Sequence, residues 1–474
     1  MLFNSIGYLL FLPTVFILYW FLLKKSLKAQ NFLILIASYI FYGLWDWRFL
    51  TLILFSTIVD YFVGQYIYHT INTKIRKVYL GISIFFNLGL LGFFKYFNFF
   101  IESWIDLLSL IEYQNNYNWT LKIILPVGIS FYTFQTMSYS LDIYFKKLKP
   151  TDDFISFAAF VGFFPQLVAG PIERASNLLP QILKPRIFYY QRGLEGLRLI
   201  LWGLFKKTVI ADSLAWRVDY SFNNYNNLDG GSLLLGLVYF SLQIYCDFSG
   251  YSDIAIGSAK LLGIELISNF KFPYFSKSIS SFWKNWHISL SSWFKDYVYI
   301  PLGGSKNNKL KTIRNIYTTF ILSGFWHGAN WTFIIWGLIH ALLYIPIFLL
   351  GKNRKYTSNV VASDTIFPSL KEFIQMGITF FSTMIAWTFF RSDSVRDGVQ
   401  YLFNMITKPS FHNIEFTTGL IYVISIIVLD WVRRDDEKLM NRSSYDNHLI
   451  ILLFWVLVFH SFEGKPVSFI YFQF

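Results

Sequence analysis

Long apolar stretches alternate with short polar intervals along this chain, from Leu9 to Phe459. A bilayer's hydrocarbon core, about 30 Å thick, asks for about 20 mostly apolar residues per helix. Lipid offers a bare backbone no hydrogen-bond partner, so each crossing must be a helix or part of a closed barrel. The runs lack the period-2 alternation of barrel strands, which selects helices. They predict helices at about 7–22, 31–45, 50–68, 78–100 and 122–145, then 194–215 and 231–248, and finally 315–326, 331–350, 371–390, 418–432 and 449–462. The segment 154–171 is apolar but carries Pro165, Gly170 and Pro171 just before Glu173 and Arg174, the pattern of a re-entrant or broken helix. The expected fold is an all-α polytopic membrane protein, with about 11 transmembrane helices plus re-entrant or broken segments. No repeat, low-complexity tract or long linker divides residues 1–474, so a single membrane domain is expected.

Composition supports a bilayer as solvent. Of 474 residues 54% are hydrophobic and only 15% charged, with 53 Phe, 31 Tyr and 16 Trp, where soluble domains carry about 25% charged residues. The net charge of +13 could suggest nucleic acid, but the Lys and Arg fall in short intervals between apolar runs. Membrane topology accounts for them instead. Lys24, Lys25 and Lys28 follow the first run, Lys74, Arg76 and Lys77 the third, and Lys146, Lys147 and Lys149 the fifth, while the stretch 102–120 has acids and no Lys or Arg. The positive-inside rule then puts the N-terminus outside and the Lys-rich intervals in the cytoplasm. The basic stretch 271–314 belongs on the cytoplasmic side and the polar stretch 219–231 outside. No Lys or Arg precedes the first run and no small-residue cleavage site follows Trp20, so that segment reads as a retained helix. The lone Cys246 excludes a disulfide framework within the chain and a cysteine-rich metal site.

Two histidines stand out chemically. His327 lies in Ser323-Gly-Phe-Trp-His-Gly-Ala-Asn-Trp331, between apolar runs. An ionisable side chain at such depth is costly and is a functional candidate. An imidazole could accept a hydroxyl proton and return it. It could equally bridge two helices through hydrogen bonds. Gly324 and Gly328 would leave room for a ligand to approach the backbone. His287 lies in Ser281-Phe-Trp-Lys-Asn-Trp-His-Ile-Ser-Leu-Ser-Ser-Trp293, inside the basic stretch. The Trp residues there fit an interfacial aromatic belt, which explains His287 less well. Lys284, Trp286 and Ser289 are candidates for holding an anionic cofactor, although positive-inside topology predicts the same charges. His69, His340, His412, His448 and His460 read as structural. No spacing suggests a metal, and no phosphate-binding glycine loop is present.

Four ordered motifs carry a resemblance. Phe164-Pro-Gln-Leu-Val-Ala-Gly-Pro-Ile-Glu-Arg174, Phe282-Trp-Lys-Asn-Trp-His-Ile-Ser-Leu290, Tyr299-Ile-Pro-Leu-Gly-Gly304 and Ser323 to Trp331 together resemble the membrane-bound O-acyltransferase family, and within it the bacterial alginate O-acetylation branch. The resemblance implies a ring of helices around a central tunnel, where a cytosolic acyl donor and an external acceptor meet near a buried histidine. His327 matches the family's catalytic histidine, and His287 a second polar position that is often His in this branch. His327 would then be general base on the attacking hydroxyl, with His287 orienting the thioester or stabilising charge. The implied donor is acetyl-CoA, used as substrate, with no tightly bound cofactor.

The ending Phe469-Ile-Tyr-Phe-Gln-Phe474 resembles the acyl-relay tail of bacterial envelope acylation systems, which makes Tyr471 a candidate covalent relay. An aromatic tail lying at the interface fits the same residues. The implied setting is a bacterial inner membrane, with an extracytoplasmic acetyltransferase as partner and a cell-surface or secreted polysaccharide as acceptor. Two alternatives are D-alanyl transfer to teichoic acid-type polymers, as in relatives with that role, and a transporter or flippase. A transporter would commonly show inverted repeats, and none is evident.

Overall fold

A computed structural model describes residues 1–110, 120–168, 170–306, 308–353, 355, 360–363, 365–410, 417–435, 444–461 and 469–470, with backbone alone at 444–447 and 459–461. Every regular element among the described residues is helical. Among the described residues five helical stretches are long and apolar enough to cross a bilayer: Leu27–His69, Thr73–Ser109, Gly230–Leu261, Trp331–Leu349 and Leu370–Arg391. Shorter apolar helices lie at Ile6–Leu22, Phe154–Leu167 and His448–Val458. Several helix starts carry polar caps. Asn72 accepts the amides of Lys74 and Ile75, and Ser369 forms a reciprocal capping box with Glu372.

The chain divides into two compact units. The first comprises Met1–Gly196 and Ser258–Leu266. Its polar centre is Asp60, fully buried, which accepts hydrogen bonds from Ser83 Oγ (2.5 Å), Ser140 Oγ (2.7 Å) and Asn87 Nδ2 (2.6 Å). These bonds tie the helices Leu50–His69, Thr73–Leu91 and Ile129–Tyr144 together, as a carboxylate deep in apolar surroundings requires. The expected helix at 122–145 begins only at Ile129, because Gly128 takes a left-handed conformation (φ 75°) ahead of it. The interrupted helix is found as expected. Phe154–Gly162 stops at Phe163 and a single turn, Phe164–Leu167, follows. Two freed backbone groups are met by buried side chains, Ser38 Oγ accepting the Phe164 amide at 3.0 Å and Gln135 Nε2 donating to the Phe160 carbonyl at 2.7 Å.

The second unit comprises Leu197–Gly257 and Ile267–Phe474. Its most intimate contact is between the helices Lys309–His327 and Trp331–Leu349, joined by the short connection from Gly328 to Asn330. Gly324 faces the Phe333 carbonyl and Gly337 faces the Phe320 carbonyl, so close that neither position has space for a Cβ. Small residues of this kind let helix backbones approach where lipid supplies no hydrophobic drive. Part of the basic stretch 271–314 folds inward. It forms two short helices, Ile279–Asn285 and Ile288–Phe294, whose inner faces are buried.

Candidate active site

The break between those two short helices holds His287. Trp286 is extended, and His287 takes the left-handed conformation, φ 43° and ψ 54°. For a non-glycine residue this costs roughly 1–2 kcal/mol, and it persists because the surroundings fix it. The Ile288 amide donates to the Asn269 carbonyl at 2.9 Å, and the Lys271 amide to the Asn285 carbonyl at 3.0 Å. The strain turns the imidazole into the protein interior, where it is 1% exposed.

Asn269 determines which nitrogen of that ring carries the proton. Its Nδ2 donates to Ser252 Oγ at 3.1 Å, and its Oδ1 accepts from Ser289 Oγ at 2.9 Å and from the Ser289 amide at 3.3 Å. Oδ1 is thus the oxygen, and His287 Nδ1, 3.1 Å away, must donate to it. The Nε2 lone pair is left bare, with no hydrogen-bond partner among the described residues. Burial pushes the imidazole down to about 3, so it stays neutral at physiological pH. Phe248 stands edge-on to the ring at 4.6 Å between centroids, and Phe270 stacks at 6.5 Å.

His327 is the last residue of its helix and is 3% exposed. Its ring lies 5.0 Å from Trp326, 5.0 Å from Trp336, 5.3 Å from Phe390 and 6.3 Å from His287, between centroids. The two imidazoles therefore share one aromatic enclosure. The space expected beside Gly324 and Gly328 is not available to a ligand. The Phe333 backbone fills it at Gly324 and the Phe333 ring at Gly328.

Of the other candidates, Ser289 belongs to the His287 network. Ser289 is buried and engaged with Asn269, and Trp286 is a core residue packed by Phe270, Phe282 and Trp387 rather than part of an interfacial belt. Lys284 lies on an exposed face. His340 is fully buried among Trp283, Trp336 and Phe282. Tyr471, His412 and the side chain of His460 lie outside the described residues. Sequence reading missed Asn269 and Ser252, whose only signal is a polar residue within mixed sequence, 18 and 35 positions from His287. It also missed the buried cations Lys206 and Lys207, taken there as part of an apolar helix.

The chain belongs to the membrane-bound O-acyltransferase family, which it matches over residues 75–386. Both histidines fall inside that match. Among its relatives is a probable alginate O-acetylase, AlgI, of Pseudomonas aeruginosa, 38% identical over 398 residues that cover 84% of this chain and 73% of the relative. A peptidoglycan O-acetyltransferase of Helicobacter pylori is 36% identical over 425 residues, covering 84% and 78%. A teichoic acid D-alanyltransferase of Bacillus subtilis is 31% identical over 244 residues, covering 48% and 61%.

Proposed function

We propose that this membrane-bound O-acyltransferase takes an acetyl group from a cytosolic thioester, acetyl-CoA, and delivers it across the membrane for O-acetylation of a cell-surface or secreted polysaccharide. The observation that carries this is the pair of buried imidazoles, His287 and His327, 6.3 Å apart between centroids, in a chain whose relatives over most of its length are O-acetylating enzymes. In the proposed step the Tyr471 phenol oxygen attacks the thioester carbonyl and its proton passes to His327. The carbon–sulfur bond breaks, and the thiolate takes the proton back to leave as CoA thiol. His287 presents a bare Nε2, an acceptor only, and the phenol's single proton goes to His327, so the part of His287 is to orient the thioester by accepting from an N–H of the donor rather than to donate to the developing oxyanion. The phenyl ester on Tyr471 is activated relative to an alkyl ester, which suits handover to an extracytoplasmic acetyltransferase partner and then to the polymer. The proposed setting is a bacterial inner membrane with the N-terminus outside. The Bacillus subtilis relative favours one second function, D-alanyl transfer from a carrier-protein thioester.

Radiolabelled acetyl-CoA and purified protein test this directly. Label on the parent chain, lost in both His327→Ala and Tyr471→Phe, is the expected result. Label that survives Tyr471→Phe but not His327→Ala removes the relay and keeps the enzyme. If the folded parent neither labels nor binds acetyl-CoA, the donor assignment fails and a D-alanyl carrier protein is the donor to try.

A further inference from the structure

The start of the C-terminal tail is not loose. Phe469 is fully buried, with its ring 4.4 Å from Tyr251 and 5.9 Å from Phe248. The Ile470 amide donates to Asp247 Oδ2 at 2.7 Å. Asp247 is 2% exposed, and its other oxygen lies 2.8 Å from Nζ of Lys207, which is 1% exposed and also reaches Asp212 at 2.7 Å. Lys207 is placed by a π-helical turn, Phe205–Ala211, an irregularity that concentrates at functional sites. The helix before it approaches the Gly230–Leu261 helix with Gly203 and Gly250 in backbone contact.

A buried ion pair adds little net stability compared with apolar residues of the same shape. Here it keeps one carboxylate oxygen directed at the Ile470 amide, in a chain whose next residue is Tyr471. Phe248, the neighbour of Asp247, touches both Phe469 and His287. The described end of the tail is thereby moored one aromatic ring away from the imidazole.

We infer that Asp247, held by Lys207, is the docking site for the chain's own C-terminal segment and the positioning residue for acyl transfer to Tyr471. The second half of this rests on the relay function proposed above; the first half does not. Asp247→Ala removes the mooring while Lys207 keeps Asp212, so no cation is orphaned. Misplacement of a reacting group by an ångström can cost about 10² in rate, so Asp247→Ala should lower the rate of tail labelling by about that factor and leave KM for acetyl-CoA little changed. Lys207→Met combined with Asp247→Asn and Asp212→Asn restores an acceptor for the Ile470 amide and neutralises all three members of the charge cluster, and labelling should recover toward the parent.

Hydrogen exchange followed by mass spectrometry reads the mooring independently of chemistry. The Ile470 amide should exchange slowly in the parent and fast in Asp247→Ala. Equal exchange in the two overturns the docking. Slow exchange in the parent with undiminished labelling of Asp247→Ala overturns the positioning role. If Tyr471→Phe labels like the parent, the relay itself is wrong and the positioning role falls with it, while the exchange result still decides the docking.

Discussion

Asn269 Oδ1 accepts the Nδ1 proton of His287 at 3.1 Å and so leaves the second ring nitrogen of that histidine as a lone pair. Replacing Asn269 by Ala frees both tautomer and ring, and activity should fall by about 10², the order expected for a misplaced catalytic group. Asn269→Asp is more informative. A carboxylate opposite Nδ1 favours the imidazolium, which has no lone pair to offer. The acid limb of the pH–rate profile should then move up by about one to three units. An unmoved limb would mean that His287 does not act through its neutral form.

The same burial makes a prediction about stability. His287 titrates near 3 in the fold against 6.5 when exposed. Below pH 6.5 the unfolded chain takes up a proton that the folded chain refuses, so this contribution is present above 6.5 and is lost progressively as pH falls toward 3. Thermal unfolding in detergent should show Tm declining below pH 6.5, with a shallower decline in His287→Gln. Equal slopes in the two proteins would refute the assignment.

His340 offers a contrast. Neither of its ring nitrogens has a hydrogen-bond partner among the described residues, and aromatic rings surround it. A buried polar group left unmatched costs about 1–3 kcal/mol, so His340→Phe should hold or raise Tm. Acyl transfer should stay within a few-fold of the parent. A collapse of activity with the fold intact would give His340 a chemical role.

Gly337 should be intolerant although it bears no chemistry. A methyl there collides with the Phe320 carbonyl and pries apart the helices that carry His327 and Trp336. Overpacking of this kind costs about 1–3 kcal/mol. Gly337→Ala should lower both Tm and activity, whereas Gly377→Ala, a position with open space around it, should change neither.

Much of this fold is legible in the chain because long apolar runs report helices directly, and the stretches about 331–350 and 371–390 fall within a residue or two of Trp331–Leu349 and Leu370–Arg391. Elements without such runs are not legible. Val395–Thr407 is amphipathic and escapes notice, and in the basic stretch around His287 the charges are visible in the sequence while the buried inner face is not. The two histidines could be picked out because each stands in a distinctive motif. Asn269 could not, since its role depends on a contact 18 residues away that only the folded chain creates. Lys207 was hidden for a similar reason: its two carboxylate partners sit 5 and 40 positions along the sequence.

His327 ends a 19-residue helix. The aligned peptide dipoles of a helix sum to roughly half a negative charge at its C-terminus. In the proposed acyl transfer, a proton resting on this imidazole meets a favourable field made by the backbone itself. His327 thus has a counter-charge in the helix that delivers it, and the same last turn both positions the ring and favours its protonated form.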